Sequence, residues 1–136
     1  MEIEMELTRI LINEGGDAQM IVIKEKVGSR QFPISIGFFE AAAIDRRIKQ
    51  IPIPRPMTHE LIESIIAQLG GHLKRIVITD LREGTFIAKL IIAHGGQEST
   101  IDCRPSDAIA LAVGDGTPIF CNERVLQTAA APAGED

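Results

Sequence analysis

The residues with the most chemistry per position form one short run, Asp102, Cys103, Arg104, Pro105, Ser106 and Asp107, ahead of the apolar stretch Ala108–Val113. Two carboxylates, a guanidinium and a hydroxyl this close together could bind an anion, hold a divalent cation or activate a nucleophile. The proline marks a helix start, because the N–H it lacks is one that a first turn leaves unpaired anyway. Asp107 is then the third helical residue, where a carboxylate favours the dipole and can reach back to the N-cap N–H. Arg104 stands at the junction between a strand and that helix. There it either joins the free N–H groups of the turn in holding an oxyanion or braces the turn by pairing with Asp107 or Asp102. On the residues alone both readings stand.

The stretch Asp102–Val113, together with "RPMTHELI" (55–62), resembles the bifunctional nuclease domain family, and that resemblance implies phosphodiester cleavage. The usual solution is a pair of divalent ions ~3.5–4 Å apart held by carboxylates; the candidate oxygen ligands for Mg²⁺ or Mn²⁺ are Asp102, Asp107, Glu40, Asp80 and Glu83, with Asp102 and Asp107 foremost. No Asp-x-Asp, His-x-x-x-His or Cys-x-x-Cys spacing reinforces a metal site. A metal-free route would use His59 as general base or acid, with Arg55 and Arg104 on the phosphate. The candidate catalytic residues are thus Asp102, Asp107 and His59, with Arg104, Arg55 and Ser106 binding substrate. His59 follows Thr58, a good N-cap for "HELIESIIAQL", and a helix start favours the neutral imidazole that accepts a proton. Its alternative is a histidine packed at a helix start. Cys103 has no base beside it and reads as a small buried hydrophobe.

These residues need elements to position them. The alternation Glu2, Ile3, Glu4, Met5, Glu6, Leu7 predicts a half-buried strand over 2–12, followed by strands at 18–27 and 30–37. "FFEAAAIDRRIKQ" predicts a helix with Phe39, Ala42 and Ala43 on one side and Arg46, Arg47 and Lys49 beyond. "IPIPRP" cannot be helical. After the helix from Thr58, Gly70 and Gly71 stop the chain. Strands follow at 72–81, 86–94 and 98–103, joined by "REGT" and "GG" turns. A helix from Pro105, a short strand at 117–121, a helical turn "ERVLQTA" and a tail complete the pass.

The two halves lie over each other without a gap. "ISIGFFEAAAI" (34–44) aligns with "IDCRPSDAIAL" (101–111) at a constant offset of 67, which sets Glu40 on Asp107 and Gly28 on Gly95. The expected fold is α+β, a single domain built from two duplicated β-β-β-α units with a connecting helix, its sheet covered on one face by helices. The domain would run over 1–127, with a flexible tail at 128–136. Positions where the copies differ, Asp102, Arg104, Pro105 and Ser106 against Ser35, Gly37, Phe38 and Phe39, are where one copy has gained a task.

At 136 residues the chain is long enough for one real core. Its net charge of −5 and pI near 5.2 argue against a protein that coats nucleic acid. The cluster Arg46, Arg47, Lys49 and Arg55 reads as a solvated helix face and a Pro-rich loop. With no Trp or Tyr and five Phe, stacking platforms for bases are scarce. No apolar run approaches the ~18 residues of a membrane span, and the opening residues lack a secretory signal. Two cysteines without an export signal point to reduced thiols in the cytoplasm. The apolar face Ile3, Met5, Leu7 and the loop residues Ile51 and Ile53 predict a homo-oligomer, most simply a homodimer.

"IDCRPSDAIALAV", with "RPMTHELI" (55–62), "FIAKL" (86–90), "FPISIGFFEAAAI" (32–44) and "PIF" (118–120), resembles the bifunctional nuclease domain family, in the family's order and over most of the chain. Cys103 departs from the small residue more usual at its position. The resemblance implies a nuclease acting on RNA and DNA, an activity described for plant members, with RNA or single-stranded DNA as partner and no membrane. Against it stands a non-catalytic module, whose Arg-Pro-Ser-Asp turn binds an anion or a protein or holds the fold.

Overall fold

The computed structural model describes residues 1–13, 15–16 and 19–132. The period-two segments of the first half form β1 (Glu2–Leu11), β2 (Gln19–Glu25) and β3 (Arg30–Ile36), and α1 (Phe38–Lys49) follows. After α2 (Thr58–Gln68) come β4 (His72–Arg82), β5 (Thr85–His94), β6 (Gln97–Cys103) and α3 (Pro105–Asp115). β7 (Ile119–Asn122), α4 (Glu123–Ala129) and β8 (Ala131–Pro132) close the chain. The result is a single mixed α+β domain. Its sheet has the order β6-β5-β4-β7-β1-β2-β3, with the two-residue β8 on the outer edge of β3.

Each half contributes an antiparallel meander, and β7 welds the two together by pairing antiparallel with β1 and parallel with β4. The turns are set by residues that tolerate positive φ. Glu83 and Gly84 lie at φ 51° and 80° between β4 and β5, as a two-residue hairpin of the primed kind requires. The match between halves is one of element order, and the gapless alignment does not survive in register. Ile34 pairs with Ile21, whereas Ile101, 67 positions on, pairs with Leu90 and not with Ala88. A four-residue link joins β2 to β3 but only Gly95–Gly96 joins β5 to β6, so the second hairpin slips by two residues.

The inner face of the sheet buries Ile21, Ile23, Phe32, Ile76, Ile78 and Leu90 against Ile44 of α1, Ile109 and Leu111 of α3 and Leu126 of α4. Phe32 of β3 and Phe86 of β5 stack with ring centroids 5.1 Å apart. Four strands separate them in the sheet, so the sheet curls until its two wings nearly meet. At that end of the molecule the starts of α1 and α3 come together.

Four expectations change on contact with the structure. Met5 is buried in the core and Ile3 and Leu7 pack against it, so the apolar face of β1 is satisfied within the chain. The N-cap of α2 is Met57, with Thr58 already helical and no side-chain cap. Residues 128–132, assigned to the tail, end α4 and add β8; residues 133–136 lie outside the described residues. The supposedly solvated basic face contains a structural brace. Arg47 is buried, donates from Nε to the Ala110 carbonyl at 2.6 Å, and holds Glu60 and Glu63 of α2 at 2.7 and 2.8 Å. One guanidinium thereby ties α1, α2 and α3 together.

Candidate functional site

α3 begins as its sequence dictates, with Arg104 as N-cap and Pro105 at the first helical position. This places Asp107 at the third position, but its carboxylate does not reach back to the N-cap N–H. It takes two bonds from Arg104, Nε to Oδ2 at 2.9 Å and Nη2 to Oδ1 at 3.2 Å. Oδ1 also lies 3.0 Å from Nε2 of His59, near the start of α2. Arg104 Nη1 stands 3.7 Å from Glu40, the first-turn acid of α1. Three helix starts therefore meet at one cluster of charges.

Burial alone would raise the Asp107 pKa, but the hydrogen bonds from Arg104 and then His59 outweigh it and hold the carboxyl below the usual aspartate range. The reciprocal bond to Asp107 raises the Arg104 guanidinium. Asp107 is thus an ionised acceptor, and an acceptor-only carboxylate requires that Nε2 of His59 carry the hydrogen. That leaves Nδ1 as the ring nitrogen free to accept a proton. The imidazole is 7% exposed. It lines, with Arg104, Asp107, Arg46, Phe39, Ala42, Ala43 and Met57, a cavity of about 420 Å³ between α1 and α2. The side of α1 bearing Phe39, Ala42 and Ala43 therefore faces this cavity, while Ala41, Ile44 and Arg47 face the core.

The other expected site residues lie elsewhere. Asp102 alternates away from Cys103 on β6, is 72% exposed and accepts from Lys89 Nζ of β5 at 3.0 Å; it does not line the cavity. Arg55 is exposed on the Pro-rich loop and does not line it either. Ser106 is buried and lines a neighbouring depression with Gly37, Glu40, Phe86 and Arg104, where the wings of the sheet approach. Glu40, in the sequence a candidate oxygen ligand and first-turn acid, and Arg46, in the sequence one of a basic cluster, both line the cavity beside Arg104, Asp107 and His59. Cys103 is no nucleophile: burial first, then Asp107 and Asp102, push its thiol up to about 12.

The donor set does not fit a divalent ion. Both oxygens of Asp107 are taken by Arg104 and His59, and Asp102 points to Lys89. Among the described residues no three His, Cys, Asp or Glu side chains come together as a metal site.

A curled mixed sheet with three helix starts converging on an Arg–Asp–His cluster defines an α+β domain with a small, largely apolar cleft that has these charges in its wall. The chain belongs to the bifunctional nuclease domain family, whose model matches residues 21–134. It is 40% identical over 126 residues to an uncharacterized protein of Mycobacterium tuberculosis, covering 93% of this chain and 75% of the relative. It is 29% identical over 109 residues to Bifunctional nuclease 1 of Oryza sativa subsp. japonica, covering 77% of this chain and 33% of the relative. Bifunctional nuclease 2 of Arabidopsis thaliana is 25% identical over 107 residues, 76% of this chain and 32% of that protein. The chain thus spans about a third of the length of these plant relatives. No helix of the described residues is long and apolar enough to cross a membrane.

Proposed function

We propose that this domain is a nuclease hydrolysing phosphodiester bonds of RNA and DNA in the cleft between α1, α2 and the start of α3. The observation that carries the reading is Asp107 held between Arg104 and His59 on the cavity wall. Asp107 orients the imidazole; Nδ1 takes a proton from the attacking water molecule, on RNA and on DNA alike. The bond from phosphorus to the leaving oxygen breaks, and the protonated imidazole returns that proton to it. Arg104, exposed at the rim, meets the charge on the non-bridging oxygens. Family membership and the names of the plant relatives support the same chemistry.

The test is cleavage of single-stranded RNA and DNA by the purified chain in Mg²⁺, in Mn²⁺ and in EDTA. Cleavage that persists in EDTA is the expected result. Strict metal dependence would show that the Arg–Asp–His cluster is not the whole centre.

A second reading has its own observation. Asp107 joins Arg104 at the start of α3 to His59 of α2, so this contact also serves as a clasp between α2 and α3, and the domain would then be a non-catalytic anion-binding or protein-interaction module. A cytoplasmic location belongs with either reading, since Cys103 and Cys121 are free, as a reducing compartment leaves them. A homodimer is also proposed, on the support of α2 in place of β1. Met57, Leu61, Ile65 and Leu69 form an exposed apolar stripe at four-residue spacing. The matching order of elements in the two halves supports descent from a duplicated β-β-β-α unit; superposing 5–49 on 72–116, with a two-residue slip in the second hairpin, tests it.

A further inference from the structure

The rim of the cleft carries an apolar ring that no packing explains. Phe39 is 81% exposed at the second residue of α1. The residue at the same helical position of α3, Ser106, is buried to 6%, so a helix start in this fold does not force a side chain outward. Phe38 meets Phe39 edge-on, with ring centroids 5.7 Å apart and planes 83° apart, which restricts the outer ring and leaves a face open. Beside it Ala42 and Ala43 give small apolar side chains to the cavity that Arg104, Asp107 and His59 also line.

Charge cannot supply the affinity for nucleic acid here. The chain is net negative, and the cavity lining balances two guanidiniums, Arg46 and Arg104, against two carboxylates, Glu40 and Asp107. A strand drawn into this cleft must be held by something other than phosphate attraction. Stacking of a base on an aromatic face is the recurrent alternative, and it tolerates any base because every base has a π-face. The cavity of about 420 Å³ falls in the size range of small-ligand sites.

We infer that Phe39 is the base-stacking platform of the cleft, and that it selects single-stranded over double-stranded nucleic acid. The inference rests on the proposal that nucleic acid is the substrate. A base splayed from a single strand lies on Phe39 beside Ala42 and Ala43, while the adjoining phosphate reaches Arg104. In a duplex the faces of every internal base are covered by its neighbours, so the ring finds nothing to stack on. Phe39 is a specificity and positioning residue and takes no part in proton transfer.

Binding of the full chain to a fluorescently labelled, phosphorothioate-linked thymidine decamer tests this. The comparison probes are the same strand with abasic positions and a blunt hairpin duplex, with cleavage measured separately. Phe39→Ala should weaken decamer binding between about 5-fold and about 150-fold, the range of one lost stacking contact. Phe39→Tyr should bind within a few-fold of the parent. The abasic strand should bind both proteins equally weakly, with a shallow salt dependence and an unchanged melting temperature and solution mass. Equal decamer binding by parent and Phe39→Ala would overturn the inference, as would no binding at all. A change of solution mass in Phe39→Ala would overturn it in favour of a second copy of the chain on this ring. Phe39-dependent binding without cleavage would sink the nuclease reading and leave this one standing; cleavage indifferent to Phe39 would do the reverse.

Discussion

Two acids, five residues apart in the sequence, have opposite fates. Asp102 and Asp107 look alike as letters, yet one is held by Arg104 and His59 in a cavity wall and the other is a surface carboxylate beside Lys89. Alternation along β6 already turned Asp102 away from Cys103. The sequence did not reveal that the curl of the sheet puts the cleft on the other side of that strand. Asp102→Asn is therefore expected to leave cleavage unchanged and to cost about 0–1 kcal/mol, as for an exposed ion pair. Activity assays with melting curves check this, and loss of cleavage at full stability would return Asp102 to the site. His59 and Arg104 were legible because each sits at a helix start announced by its neighbours. Arg55, although next to that start in sequence, sits on a loop that carries it away from the cavity.

The elements were the most readable level. β3, α1 and α3 begin where turn residues and Pro105 said they would, and β6 begins one residue earlier, because local chemistry decides a start. Which face of α1 is buried was not local: Arg47, a cation, belongs to the core side and Phe39 to the open side. A guanidinium that satisfies carbonyls of α3 and carboxylates of α2 is a tertiary fact. Gly114 exposes the arrangement. A Cβ there would run into the Arg47 guanidinium, so Gly114→Ala should destabilise the domain by about 1–3 kcal/mol. Glycine-to-alanine in a helix otherwise stabilises by about 1 kcal/mol. A raised melting temperature in Gly114→Ala would contradict the brace. The same brace sets an acid limit. Burial would raise the Glu60 carboxyl, but Arg46 and Arg47 outweigh it and bring it from 4.5 down to about 2. A carboxyl held below its unfolded value stabilises the fold above that value and loses the contribution as pH falls. The loss should span pH 4.5 to 2 and, discounted for the solvent screening of a partly exposed carboxylate, amount to about 1–2 kcal/mol. Melting of Glu60→Gln against the parent across that window measures it; parallel pH profiles would refute it.

At the scale of the whole molecule, the class was legible and the closure was not. Strand, strand, strand, helix, twice over, predicts an α+β domain. Only the structure shows β7 joining the meanders and Phe32 meeting Phe86 across the curl. Contacts of that sequence separation leave no local signature. The same limit moved the proposed dimer surface. The β1 alternation is real but feeds the core, while the stripe Met57, Leu61, Ile65 and Leu69 remains in water. Leu61→Glu with Ile65→Glu should convert a dimer into a folded monomer, read as a halved mass in light scattering. A parent chain already monomeric at micromolar concentration would remove the proposal.

The central claim is that the Arg104–Asp107–His59 cluster cleaves phosphodiester bonds. Its most direct test is the cleavage rate of a single-stranded RNA oligonucleotide by the parent and by Asp107→Asn, compared at equal folded fraction by circular dichroism. An amide cannot hold the imidazole as an ionised carboxylate does. The account predicts at least a ~100-fold fall in rate, the scale of a lost positioned base, while the fold persists at the assay temperature. Cleavage by Asp107→Asn that tracks only its folded fraction would contradict the account and leave the cluster as a clasp between helices.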